Sequence, residues 1–299
     1  MTRLEYTTSD GQSSYFEIDS DERILDFREN DIKSINLVPL NTCSELERLF
    51  LAKNQLKSLD LSPLAGITSL RWLDLSHNQL RQVDTFQLNE CRSLERISLS
   101  YNPLGEIDLG FLAQCPSLHT LRLTNTLLRS IDLKPLSRCS SLEQLSVAFN
   151  ELEAIDLTPI ASCKELQILS LNRNQFTTID LHPLSSCLKL ETLNLSDNQL
   201  EEVVLSPLSA CFNLLSLILG NNQLRNVDLT PIGSLQNLRG LDLSENQLRR
   251  VDLRPLKYCN DIEIKLYGNP LQKAIHPNPP CANLVLDSPP KSSFDSFST

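Results

Sequence analysis

The sequence has no long hydrophobic run and few basic residues for its acidic content. No segment approaches about 18 consecutive apolar residues, so no membrane-spanning helix is predicted. Met1 to Ser20 lacks the charged region and apolar run of a signal peptide. The 27 basic and 37 acidic side chains give a net charge of −10, which argues against a nucleic-acid or anionic-membrane partner. We therefore expect a soluble cytoplasmic protein.

Motifs for catalysis and for cofactor binding are also missing. The sequence contains no Gly-rich phosphate loop, no G-x-S-x-G and no H-E-x-x-H. His77, His119 and His182 are dispersed, and a nucleophilic Cys-His pair needs hydrogen-bond contact. His276 and Cys281 would supply only two of the four ligands that a structural zinc site uses. We expect no enzyme activity, no cofactor and no metal.

What the sequence does contain is a 24-residue period. Units of the form L-x-x-L-x-L-x-x-N-x-L recur through the chain, as in Leu166 to Phe176. The asparagine of the unit forms a ladder, and Thr126 interrupts it, which predicts a local distortion there. The ladder comprises Asn54, Asn78, Asn102, Asn150, Asn174, Asn198, Asn222 and Asn246. An amide both donates and accepts hydrogen bonds, so these side chains are predicted to satisfy buried backbone groups of neighbouring units.

From about Asp26 to Leu271 this pattern resembles the leucine-rich repeat family, in its intracellular type with 24-residue repeats. The resemblance implies an α/β solenoid, a horseshoe of about ten to eleven coils. It further implies a parallel β-sheet on the concave face and short 3₁₀ or helical turns on the convex face. Leu145 and Val147 show the period-2 alternation of such a strand, whereas Ile160, Cys163 and Leu166 recur every three residues.

Eight of the nine cysteines also follow the period, and Ile67 and Leu235 occupy the two skipped places. A position that accepts Cys, Ile or Leu is predicted to be a buried apolar site rather than a disulfide or reactive thiol. The eight are Cys43, Cys91, Cys115, Cys139, Cys163, Cys187, Cys211 and Cys259. Unbridged cysteines fit the reduced cytosol.

Aspartate and proline form two further ladders, seen in the stretch Ile155 to Pro159. Thr or Ser before Pro predicts a helix start, and the aspartate is expected to accept backbone N–H bonds in the preceding bend. A row of carboxylates binding Ca²⁺ is the alternative, but the sequence has neither a Gly-rich nonapeptide nor an EF-hand loop. We therefore interpret both ladders as structural.

Three segments are predicted. Residues 1–21 form a capping hairpin around Asp10-Gly11, residues 22–272 form the solenoid, and residues 273–299 form a Pro/Ser-rich tail that is largely disordered. At the end of the solenoid the repeat shifts by one residue, to Ile264, Leu266 and Asn269.

The residues that lie off the ladders are the candidates for function. Leucine-rich repeat proteins most often bind partners on the concave face, as the resemblance implies. Aromatic residues and arginines, which binding hot spots favour, concentrate in the first half of that face around the only tryptophan. The predicted partner-binding residues are Arg48, Phe50, Trp72, His77, Arg96, Tyr101, Arg122, Phe149 and Arg173. A rival convex site would use Phe86 and Phe111, which lie in the two units without the proline.

The expected function is a non-catalytic scaffold or signalling adaptor that binds a protein or peptide, as a monomer. The alternative is a regulatory subunit that modulates a phosphatase or a small GTPase. A recognition domain such as those of ligase effectors is a third hypothesis, and no catalytic extension follows Leu271 to favour it.

Overall fold

The computed structural model describes residues 2–259, 261–275 and 282–286. Within them the chain forms short strands and short 3₁₀ helices, which alternate along most of its length. The strands are β1 (Thr2–Thr8), β2 (Ser13–Ile18), β3 (Ile24–Asp26), β4 (Ile32–Ile35), β5 (Arg48–Phe50), β6 (Trp72–Asp74), β7 (Arg96–Ser98), β8 (Thr120–Arg122), β9 (Gln144–Ser146), β10 (Ile168–Ser170), β11 (Thr192–Asn194), β12 (Ser216–Ile218), β13 (Gly240–Asp242), β14 (Arg250–Asp252), β15 (Ile262–Lys265), β16 (Lys273–Ile275) and β17 (Ala282–Val285).

Twelve of these strands form one parallel sheet, in the order β17-β15-β13-β12-β11-β10-β9-β8-β7-β6-β5-β3. Equivalent residues of successive units pair directly, as Leu145 pairs with Leu169 and Leu169 with Leu193. The central residue of each three-residue strand of this sheet is buried, whereas Gln144 and Ser146, on either side of Leu145, are only partly buried. The predicted parallel sheet of a leucine-rich repeat solenoid is confirmed, with the sheet on the concave face.

The turns between strands are 3₁₀ helices at Val38–Thr42, Ser62–Leu64, Phe86–Glu90, Gly110–Gln114, Lys134–Arg138, Thr158–Ser162, His182–Ser186, Ser206–Ala210, Thr230–Ile232 and Arg254–Tyr258. In the sixth of them Pro159 occupies the first turn, where its missing N–H is harmless.

The start of these helices agrees with the prediction, and the aspartate before the Thr or Ser accepts the backbone N–H. Thr158 is the first helical residue and provides no side-chain cap. As predicted, Oδ1 of Asp156 accepts the backbone N–H of Thr158 at 2.9 Å. The same bond recurs along the ladder, for example from Ser62 to Asp60 at 2.8 Å. The aspartates are therefore the capping residues, because the proline that follows fixes the Ser or Thr inside the first turn.

The asparagine ladder joins each coil to the one before it. Asn174 is 8% exposed, and its Nδ2 donates to Val147 O at 3.0 Å and to Leu171 O at 3.1 Å. Its Oδ1 accepts the N–H of Leu152 at 3.1 Å. The bonds to residues 147 and 152 cross to the preceding coil. The predicted structural role of the asparagines is confirmed.

Thr126 replaces part of this network. Its Oγ1 donates to Leu123 O at 2.9 Å, and its backbone N–H donates to Asn150 Oδ1 at 3.0 Å. The threonine side chain is shorter than that of asparagine, so the backbone makes the connection to the preceding coil instead. There the Gly105 N–H donates to Thr126 O at 2.9 Å. Leu127, the next residue, has a positive φ of 60°. The distortion that the sequence predicts at this coil is therefore a local change of turn.

The eight ladder cysteines are buried in the core. Seven of them, from Cys43 to Cys211, are free thiols. Burial raises the pKa of the Cys163 thiol from 9.0 to about 12, and its Sγ donates to Leu136 O at 3.5 Å. A thiol of that pKa is protonated at neutral pH and has little nucleophilic reactivity. Cys281 lies outside the described residues.

The first end of the solenoid is covered by a hairpin. Strands β1 and β2 pair antiparallel, and β1 also pairs antiparallel with β4. Leu4 is buried completely, and Tyr6 stacks on Phe16, which in turn contacts Phe27 with ring centroids 4.4 Å apart. The hairpin therefore extends the apolar core at the start of the chain, beside β4 and not in the concave sheet.

At the other end, the expectation of a mostly disordered tail is wrong for two segments. Strand β16 pairs with β14, and β17 adds a parallel strand to β15. Val285 O accepts the N–H of Leu266 at 2.9 Å. The disorder was predicted from side-chain composition. Pairing with an open sheet edge uses backbone groups and does not depend on that composition. The remaining tail residues, 276–281 and 287–299, lie outside the described residues.

Replacing Asn174 by alanine is expected to lower the free energy of unfolding by about 1–3 kcal/mol, because it leaves the buried Leu152 N–H without its partner. The two carbonyls lose one donor each but keep the amides of Asn150 and Asn198. Asn172→Ala is the matched control in the same coil, since the Asn172 side chain makes no hydrogen bond within the described residues, and it should change stability by less than about 0.5 kcal/mol. Urea unfolding followed by circular dichroism measures both. Equal effects would contradict the structural role of the ladder.

The aspartate caps predict a loss of stability in acid. Hydrogen bonds from the side chain and backbone of Thr158 lower the pKa of Asp156 below 3.8, and Thr230 does the same at Asp228. A carboxylate with a lowered folded-state pKa stabilises the fold above its unfolded pKa, and that contribution is lost as the pH falls through the lowered value. The urea midpoint is therefore expected to fall between about pH 4 and pH 2.

Changing both aspartates to asparagine should flatten this pH dependence, since an amide oxygen still accepts the N–H but does not titrate. The control double variant, Glu153→Gln with Glu202→Gln, removes two carboxylates that accept no hydrogen bond within the described residues. If the control flattens the profile as much as the aspartate variant, the caps are not its source.

Candidate partner-binding face

The concave face is bordered by a row of residues in the left-handed backbone conformation. Each is the residue before the ladder asparagine, or its equivalent in the unit, and each has φ between 51° and 60°. We call this the turn row: Glu29, Lys53, His77, Tyr101, Asn125, Phe149, Arg173, Asp197, Asn221 and Glu245. This conformation costs non-glycine residues roughly 1–2 kcal/mol each. It is held by backbone bonds between coils, such as Lys53 N–H to Ser76 O at 2.9 Å.

Neighbouring side chains of the turn row contact one another. Lys53 and Glu29 form an ion pair at 2.6 Å, and the rings of His77 and Tyr101 stack with centroids 4.2 Å apart. Further along, the Arg173 guanidinium lies over the Phe149 ring at 4.5 Å. The fixed backbone conformation therefore brings four of the predicted binding residues together as two separate pairs.

A second group lies on the strands around Trp72. The Phe50 ring meets Trp72 edge-on, with centroids 4.9 Å apart and planes at 89°. The Arg96 guanidinium lies 5.1 Å from the Trp72 centroid. Cation–π and edge-to-face contacts of this kind fix the orientation of an indole. Trp72 remains partly exposed. Its ring is therefore held in place by Phe50 and Arg96 and still has surface available to contact a partner. We call Phe50, Trp72 and Arg96 the tryptophan cluster.

Phe50 was expected to project from the face, and this is wrong. Its side chain is only 7% exposed, because Trp72 packs on one side and the Arg28 guanidinium lies 4.9 Å from its centroid. Arg28 is in turn held by Asp26, with Nε to Oδ1 at 2.8 Å. Phe50 therefore packs against Trp72 and has little exposed surface for a partner.

The sequence reasoning missed Arg28. Its column otherwise contains the small or uncharged residues Ala52, Ser76, Ser100, Thr124, Ala148, Asn172, Ser196, Gly220 and Ser244. A single arginine in that column was the signal that could have found it. It lies next to β3, the edge strand of the sheet at the start of the chain.

Two more predicted residues, Arg48 and Arg122, are exposed on β5 and β8. Arg122 Nη2 donates to Gln144 Oε1 at 3.3 Å. Within the described residues neither arginine has a carboxylate partner. Arg48 lies in register with Trp72, which lies in register with Arg96, so the indole has an arginine on the strand to each side.

Comparison with known proteins identifies the fold. A family model described as leucine rich repeat matches residues 23–80, 92–152 and 140–200, more than half of the chain. The chain belongs to the leucine-rich repeat family. A search of curated proteins gave no match.

Solved leucine-rich repeat structures are similar over most of this chain. An internalin (inlF) from Listeria monocytogenes has 31% identity and a TM-score of 0.64, over 77% of this chain and 63% of the internalin. The chain thus spans less than two thirds of the internalin. The PEPR1–AtPEP1 complex gives 26% identity and a TM-score of 0.71, over 84% of this chain and 37% of that one. The TLR13–ssRNA13 complex gives 23% identity and a TM-score of 0.62, over 76% and 37%.

The two phenylalanines of the alternative convex site differ in their exposure to solvent. Phe86 is 70% exposed, whereas Phe111 is 2% exposed. The two residues are 25 positions apart, so they occupy different places in the repeat. Phe111 falls in the proline column, where Pro63 and Pro207 are also buried. Phe111 therefore fills the space of the absent proline, and of the two phenylalanines only Phe86 is exposed.

The described residues offer no constellation for metal chemistry. Among them no group of three or more His, Cys, Asp or Glu side chains is placed to hold a metal ion.

A surface hollow elsewhere on the repeats is lined by Arg225, Arg249 and Arg250 and includes none of the predicted binding residues. No helix in the described part of the chain has the length and apolar character needed to span a bilayer.

The turn row also determines the titration of His77. Burial against its neighbours lowers the pKa of His77 below 6.5, and the positive charge of Lys53 lowers it further, whereas Asp74 opposes both. The imidazole is therefore expected to be mostly neutral at neutral pH.

Removing either cause should raise this pKa. Tyr101→Ala exposes the face of the imidazole that Tyr101 covers, and Lys53→Gln removes the repelling charge. An NMR titration of the imidazole protons measures the shift, with Lys57→Gln as a control that removes the same charge outside the turn row. A wild-type pKa above 6.5, or an equal shift in the Lys57 variant, would show that the row does not control the histidine.

Proposed function

We propose that this leucine-rich repeat protein is a non-catalytic interaction scaffold or adaptor that binds a protein or peptide on its concave face. The observation that carries the proposal is the tryptophan cluster. The only tryptophan of the chain is held by Phe50 and Arg96 on an open sheet and is still partly exposed. A rigid, partly exposed indole contributes contact area at a small entropic cost, as binding hot spots require.

The turn row extends this surface. The stacked pair of His77 and Tyr101 and the pair of Phe149 and Arg173 are each preordered by their neighbours. Side chains that are already ordered lose less entropy when a partner binds. The PEPR1–AtPEP1 complex, whose PEPR1 chain is similar in fold, supports a protein or peptide as the partner.

The proposal also includes a cytoplasmic location and a choice between scaffolding and regulation of the bound partner. We propose a cytoplasmic protein, because its seven buried free thiols from Cys43 to Cys211 suit a reducing environment. We further propose that it acts as a monomer. A regulatory role toward a phosphatase or a small GTPase remains the second candidate. It differs from a scaffold only in whether the bound enzyme changes its activity.

The test is affinity capture from the source organism with wild-type protein and a Trp72→Ala, Tyr101→Ala double variant. Partners should be captured by the wild type and lost from the double variant, and a purified partner should bind at least about 30-fold more weakly, or roughly 2 kcal/mol, by calorimetry. An activity assay on the captured partner separates regulation from scaffolding.

Phe86→Ala is the matched control, since it removes an exposed aromatic ring from the convex side. Circular dichroism and the urea midpoint establish that the double variant is folded. A partner whose capture is lost with Phe86→Ala and retained by the double variant would place binding on the convex side and refute the proposal.

A further inference from the structure

The arginines of the concave face differ in how they are paired. Arg28 and Arg173 have carboxylate partners in Asp26 and Asp197. Arg48, Arg96 and Arg122 have none within the described residues, although the protein carries a net charge of −10. We call these three the open arginines. They lie on β5, β7 and β8, around the tryptophan cluster.

The carboxylates nearest to the open arginines in the sheet are bound elsewhere. Glu47 precedes Arg48 but pairs with Arg23 at 3.1 Å, and Glu95 precedes Arg96 but pairs with Arg71 at 2.6 Å. Asp74, between them on β6, accepts the N–H and the hydroxyl of Ser76 at 3.0 and 2.7 Å. The chain therefore pairs Glu47 and Glu95 with other arginines, holds the charged Asp74 through hydrogen bonds to Ser76, and leaves the three open arginines without a carboxylate partner in the described residues.

We infer that the partner segment bound by this face is an acidic peptide, with carboxylates on the open arginines and an apolar or aromatic residue on Trp72 between them. This inference rests on the proposed function and specifies its ligand. Guanidinium groups bind carboxylates through paired N–H bonds, which gives both strength and geometry. The Arg96 guanidinium lies over the indole, and its N–H edges remain available to a carboxylate.

The spacing suits an extended chain that crosses the strands. Neighbouring strands lie about 4.8 Å apart, so Arg48 and Arg96 are separated by roughly 10 Å across Trp72, which is about three residues of extended peptide. Arg122 lies one strand further and two positions along. Because successive side chains of an extended chain point to opposite sides, a segment with acids two positions before and two positions after an apolar residue presents all three to one face over about 13 Å. Such a segment would meet Arg48, Trp72 and Arg96 in order, with the long arginine side chains reaching outward to the acids.

A single-stranded nucleic acid is the other polyanion that such a surface could attract, and the contacts disfavour it. Base stacking requires open aromatic faces. Trp72 carries Arg96 over its ring, and the facing sides of His77 and Tyr101 cover each other. Nucleic acid also requires a broad basic footprint, whereas on this face Arg28, Lys53 and Arg173 are each paired with a carboxylate.

The experiment selects random linear peptides from a display library on the full chain and measures the affinity of the selected peptides. We expect enrichment of Asp and Glu around an apolar residue, and binding that weakens as salt is raised. Changing Arg48, Arg96 and Arg122 together to glutamine should weaken binding by at least about tenfold. The control changes Arg225, Arg249 and Arg250 to glutamine, which removes the same charge from the surface hollow, and should have little effect.

The outcomes separate this inference from the proposed function. Peptides that depend on Trp72 but are not acidic, and that bind the triple variant normally, would overturn the acidic ligand and leave the concave face as the binding site. Peptides that depend on neither Trp72 nor the open arginines would overturn both. Loss of binding in the control triple variant alone, or tighter arginine-dependent binding of a random single-stranded RNA, would also overturn the inference.

Discussion

Nearly every coil of this solenoid depends on the hydrogen bonds of one buried asparagine, which Thr126 replaces in a single coil. The turn that leaves each strand directs backbone N–H and C=O groups into the interior, where an unpaired group is costly. The amide of Asn174 satisfies groups both in its own coil and in the preceding one. A turn of this shape is therefore stable only beside its neighbour. The stacking of coils, and with it the parallel sheet, follows from that requirement.

The same turn imposes the surface that we assign to binding. Because the residue before the asparagine is held in the left-handed conformation in coil after coil, side chains as different as Lys53, Tyr101 and Arg173 are placed in one row. Their identities are free to vary, since the backbone bonds and not the side chains hold the conformation. The repeat thus supplies a regular backbone on which only the outward side chains distinguish one coil from another.

Charge is distributed unevenly on that surface. Several cations of the face are paired with acids of the same or a neighbouring coil, as Arg28 is with Asp26. The arginines around Trp72 are the exception, and their neighbouring acids are engaged by other residues. An arrangement that leaves positive charge unpaired on an acidic protein provides electrostatic complementarity for an acidic partner, which favours specificity and rapid encounter.

The sequence by itself determined the architecture, the buried ladders and the capping role of the aspartates, because every repeated position stacks on its own copy and an unsuitable residue would be repeated through the core. It also indicated the half of the face that holds Trp72. The tertiary structure alone decided which side chains touch there. It buried Phe50, brought Arg28 over it, placed Phe111 in a proline position and added β17 to the sheet. These outcomes depend on distances between side chains of adjacent coils and on backbone pairing at an open edge, which a periodic pattern does not specify.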